Sequence, residues 1–143
     1  MSRVINTANP GRLRNQARRT IAEMLRHLMF KKRIDDESKD MAALVAISLQ
    51  EIAATIDVTT TAWENRDYFL KADRFRLEWE WAAPAARRLE EIVVSGDWDR
   101  LPGELVALAP RFADIRIAKM TRGPEAWQGC LEALVRRQNA EAR

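Results

Sequence analysis

Glycine and proline, the residues that most often stop a helix or turn a chain, occur only five times each in these 143 residues. A chain so short of breakers folds into a few long elements. Twenty-two alanines, with leucine, glutamate and arginine also plentiful, make those elements helices. At this length they enclose one core, so the expected fold is all-α: a single-domain antiparallel bundle of four to five helices.

Apolar periodicity places the helices. Asn9 before Pro10 reads as a cap followed by proline in the first turn, where the missing N–H costs nothing. Leu13, Ala17, Ile21, Met24, Leu25 and Leu28 share one side of a helix over about 10–33, preceded by a flexible arm at 1–9. Val45, Leu49, Ile52, Ile56 and Thr59 step by four and three along a second helix, about 38–59. The run Thr59-Thr60-Thr61 weakens helical propensity, and Thr61-Ala62-Trp63-Glu64 has capping-box spacing, so a third helix restarts at 62.

Tyr68, Ala72, Phe75, Trp79, Ala82, Ala86, Leu89 and Val93 carry that third helix to about 94, with a kink near Glu80 imposed by Pro84. A fourth helix, about 101–120, bends at Pro110. Within it Ile115 and Ile117 alternate like a strand, but a lone strand has no partner in a helical chain, so helix is preferred. Trp127, Cys130, Leu131 and Leu134 mark a fifth helix over about 124–138.

The net charge of +3 conceals an uneven distribution. Residues 1–34 carry nine Lys or Arg against Glu23 alone, residues 35–115 nine against seventeen acids, and residues 116–143 six against three. Arg12, Arg19, Arg26 and Arg33 recur every seven residues, about 10 Å apart along a helix. That stripe lies opposite the apolar face, with Phe30 beside it and Arg18 on its flank. A basic stripe carrying an aromatic is a footprint for nucleic acid or another polyanion. The bland counterpart is a solvated helix face, or a basic helix packed beside acidic parts of the same bundle.

A second apolar line on the third helix, Trp63, Leu70, Leu77 and Trp81, makes that helix apolar on two sides. Either it is the central helix or it is shared with a second copy, and the expectation is a homo-oligomer with this line at its interface.

Little catalytic chemistry is legible. A single histidine, His27, excludes metal sites built from two or more histidines, and Cys130 is spaced as a core residue. No phosphate-binding glycine loop or nucleophile elbow occurs, and no cofactor or metal is expected. One constellation remains: Glu37-x-x-Asp40 and Glu64-x-x-Asp67 each set two carboxylates on one helical turn. This spacing resembles that of the all-α nucleotide pyrophosphohydrolases, and the resemblance implies a magnesium site that cleaves nucleoside triphosphates. Both pairs also fall at expected helix starts, where acids are favoured without a metal.

The lone cysteine, the start without an apolar signal core and the absence of an unbroken apolar run of membrane length point to a cytoplasmic protein with no membrane partner. Three functions stay open: a non-catalytic binder of nucleic acid or another polyanion, a magnesium-dependent pyrophosphohydrolase, and a protein-interaction module.

Overall fold

The computed structural model describes residues 9–142, so the expected arm lies, but for Asn9, outside the described residues. The chain forms an all-α bundle of α1 (Pro10–Met29), α2 (Asp36–Glu64), α3 (Phe69–Trp79), α4 (Ala82–Ser95), α5 (Leu101–Leu108), α6 (Pro124–Trp127) and α7 (Cys130–Glu141). Short 3-10 turns at Trp98–Arg100 and Ala109–Phe112 flank α5.

α2 is the axis around which the rest packs. Met41, Ala42, Ala43, Val45, Ala46, Leu49 and Ile52 are fully buried, against Ile21 and Met24 of α1 and Leu89 and Ile92 of α4 in one core. By length and composition α2 could cross a bilayer; in the bundle most of that apolar surface is covered by its neighbours. Arg14 of α1 meets Thr59, and Trp63 meets Phe75 of α3, so α1 and the α3–α4 arm run antiparallel to α2. α7 instead follows α2's own direction, from Asp40–Leu131 to Gln50–Arg137. Gln50 also donates to Glu90 at 3.0 Å, and Arg137 reaches the same carboxylate, tying α2, α4 and α7 together.

Four expected boundaries move, each for a local reason. The threonine run does not end α2. The buried Thr55 and Thr60 hydroxyls donate to the carbonyls of Ile52 and Ile56, so they are satisfied within the helix while packing holds it. α1 stops at Met29, because Asp35 caps α2 by accepting from Ser38 N and the chain must turn first. Arg33 therefore leaves the helical stripe. Pro84 produces a full break between α3 and α4 where a kink was expected, since its ring opposes the Glu80 carbonyl. Gly129, at φ 81°, separates α6 from α7 within the single helix expected there.

The largest departure is at 113–123, which is not helical. Ile115 and Ile117 are half-buried while Arg116 and Ala118 are exposed, the alternation of extended chain. Its backbone finds its partner in arginine side chains rather than in a strand.

Candidate anion-binding face

Segment 111–122 lies along α1 and is held there by guanidinium groups. Arg18 donates to the Arg111 carbonyl and forms an ion pair with Asp114 at 2.7 Å. Arg19 donates to the carbonyls of Arg116 (3.3 Å) and Lys119 (2.9 Å), and Arg26 donates to that of Ile117. These carbonyls would be helical acceptors in a helix; here arginines replace the amides, which accounts for an irregular backbone packed on a bundle.

Glu23 is the anchor beneath. Its side chain is wholly buried, and its carboxylate accepts from Arg19 Nε at 2.8 Å, Arg122 Nη1 at 3.0 Å, the Thr121 hydroxyl and the backbone N–H groups of Thr121 and Arg122. Burial pushes this carboxyl up, but hydrogen bonds from the Thr121 hydroxyl, Arg19 and the two amides outweigh it and hold the pKa down to about 2. The Arg18 guanidinium likewise holds Asp114 below its ordinary range.

This geometry revises the roles expected from the stripe. Arg18, Arg19 and Arg26 are structural clamps as well as charges, and Arg19 shares Glu23 with Arg122. Backbone carbonyls are neutral, so donating to one leaves the Arg26 charge in place, whereas Arg18 is paired with Asp114 and Arg19 with Glu23. By drawing the carbonyls of residues 116 and 119 inward, Arg19 fixes the segment from which the exposed side chains of Arg116 and Lys119 project, with no ion-pair partner among the described residues. Within 18–26 and 111–122 together, seven Lys or Arg face two acids, Glu23 and Asp114. Arg12 is exposed six residues before Arg18; Phe30 is 78% exposed; Arg33 sits in the α1–α2 loop, away from the strip's clamps.

An aromatic row adjoins this strip. Trp63, Phe75, Trp79, Trp81 and Phe112 contact one another in turn, with ring centroids 5.1–6.3 Å apart. Cations cover their faces: Lys71 over Trp63, Arg14 over Phe75, Arg18 over Trp79 and Phe112, and Arg111 over Trp81. Burial lowers the Arg14 pKa, with Glu78 opposing.

The row also divides the expected interface. Trp63, kept on α2, and Trp81, in the break after α3, both enter it, whereas Leu70 and Leu77 remain exposed, as do Tyr68 and Phe69. The four residues do not form one face.

The carboxylate pairs do not converge. Because α2 is unbroken, Glu37 and Glu64 stand 27 positions apart on one helix, about 40 Å at its rise per residue, too far to share an ion. Glu37 instead accepts from Lys31 at 2.7 Å beside His27. Asp40 accepts from the amides of Gly129 (3.2 Å) and Leu131 (3.0 Å), capping α7 across the bundle. Glu64 takes both Nη atoms of Arg76, which lowers its pKa. Asp67 occupies the turn after α2 at φ 64°. Among the described residues no group of acids, histidines or cysteines is arranged to hold a metal.

Sequence reasoning passed over Glu23, Arg122, Arg116 and Lys119. Two signals pointed to them: Glu23 is the sole acid of a strongly basic helix, one turn from Arg19, and Ile115 and Ile117 alternate. Comparison with protein-family models, with curated proteins and with solved structures finds no match for this chain.

Proposed function

We propose that this bundle binds nucleic acid, without catalysis, through the strip formed by α1 and residues 111–122. One observation carries the reading: two basic stretches about a hundred residues apart lie side by side, with seven cations against two acids, one of them buried. The phosphate-contacting groups are Arg26, Arg111, Arg116 and Lys119, all exposed, with Arg26 also clamping the Ile117 carbonyl, while Arg18, Arg19 and Arg122 hold the rest of the strip together. Recognition is of backbone charge rather than base sequence.

Four phosphate contacts give a log–log salt slope of about −4 on duplex DNA. Reversing Arg116 and Lys119 together (Arg116→Glu, Lys119→Glu) removes two contacts without touching the side chains that clamp the segment. The measurement is a mobility-shift titration over a salt series, and the double variant is expected to lose about half the slope. Wild-type binding that is flat in salt, or a double variant that binds as wild type, overturns the proposal. A magnesium-dependent hydrolase lacks support, since Glu37 and Asp40 lie in the first turns of α2 and Glu64 and Asp67 at and just past its far end.

A further inference from the structure

A groove of about 470 Å³ opens between the end of α1 and α5, on residues the nucleic-acid reading does not require for its cations. Leu25, Leu28 and Met29 form one wall, and Leu101, Leu105 and Val106 the other. Met29 and Val106 are 77% and 73% exposed, so the groove's lips are apolar and uncovered. Its charged lining residues, Lys31, Lys32 and Arg33, are all cationic and all come from one end, the turn between α1 and α2. Lys31 is committed to Asp35 and Glu37, whereas Lys32 and Arg33 are exposed with no ion-pair partner among the described residues.

We infer that this groove is a binding site for a free long-chain carboxylate, with the head on Lys32 and Arg33 and the acyl chain between α1 and α5. The volume falls within the usual range of small-molecule sites, about 300–1,000 Å³. The lining is polarised, cationic at one end and apolar along its length, which matches an anionic head with a single tail. The one uncharged polar side chain of the lining, Ser38, is buried with its hydroxyl already on Asp35 and the Arg33 carbonyl, so the backbone N–H and C=O groups of an extended peptide would be buried largely unpaired. One turn of a helix, 10–12 Å across, already occupies roughly 500 Å³, so the groove would hold a single turn of a docking helix. An acyl chain has neither difficulty.

The test is calorimetric titration of the full chain with dodecanoate below its micellar concentration, against dodecyltrimethylammonium, which has the same tail and the opposite charge. Dodecanoate is expected to bind at least tenfold more tightly. The surface variant Lys32→Glu with Arg33→Glu is expected to reverse that order while its circular dichroism stays that of wild type. Contacts between the bound chain and the Met29 methyl, read by nuclear Overhauser effects, place the tail. Equal affinity for the two heads overturns the inference. So does a double variant that still prefers dodecanoate, or binding only to anionic lipid vesicles or to an acid-flanked helical peptide. Retained nucleic-acid binding in the Lys32→Glu, Arg33→Glu variant separates this site from the strip.

Discussion

Replacing Glu23 by glutamine tests the clamp that builds the candidate site. The carboxyl ionises at about 2 in the folded chain against an ordinary 4.5, because hydrogen bonds from the Thr121 hydroxyl, Arg19 and the amides of Thr121 and Arg122 outweigh its burial. A depressed carboxylate stabilises the fold above its unfolded pKa, and that contribution disappears as pH falls through the folded one. The difference is worth about 3 kcal/mol at neutral pH and narrows to about 1.4 kcal/mol at pH 3. Glu23→Gln removes it, leaving Arg19 and Arg122 facing each other without their anion. Urea unfolding at pH 7 is therefore expected to show the variant about 3 kcal/mol less stable than wild type, with the gap shrinking towards pH 3. Amide exchange locates the loss: the N–H groups of Thr121 and Arg122, which donate to Glu23, exchange faster in the variant than those of the α2 core. A variant as stable as wild type at pH 7, or a gap that does not change with pH, refutes the account of Glu23 as an ionised anchor.

Two further substitutions probe how α7 is seated. Asp40→Ala removes the carboxylate that accepts from the α7 amides across the bundle and is expected to cost about 1 kcal/mol, with faster exchange at the Leu131 amide. Gly129→Ala places a Cβ at φ 81° with open space around it, so the expected loss of about 1 kcal/mol in thermal unfolding is backbone strain alone.

The helical class, the apolar side of α1, a disruption near Glu80 (expected as a kink, found as a full break) and the end at Gly96 were legible because they depend on local chemistry. Spacing sets which residues share a helix face, proline removes a donor, and Gly96 takes φ 76° just past α4. The threonine run misled because propensity is a weak term. Packing of the buried face of α2, which takes in Thr60 with its hydroxyl satisfied by the Ile56 carbonyl, outweighs it. That single continuation also separates the carboxylate pairs, so a metal site suggested by spacing was undone by one helix that failed to stop. The interface line is divided for the opposite reason, since Trp63 stays on α2 and Trp81 falls in the break after α3, where one helix was expected.

The stripe is the most instructive case. Its arginines are where the heptad spacing puts them, through Arg26, but Arg19 is paired with the buried Glu23 while Arg12 and Arg26 have no carboxylate partner among the described residues. What they do depends on residues about a hundred positions away, because a guanidinium takes whichever acceptor the fold delivers, and here it delivers the carbonyls of residues 116–119. By itself the sequence determined that the chain is helical, where its apolar faces lie and that its charge is concentrated near the start. The tertiary structure alone decided that Glu23 is buried, that the clamped arginines present a second row of cations, and that the acidic pairs stay apart. Helix formation reads neighbours three and four residues away, whereas long-range ion pairs and hydrogen bonds exist only once packing brings their partners within reach.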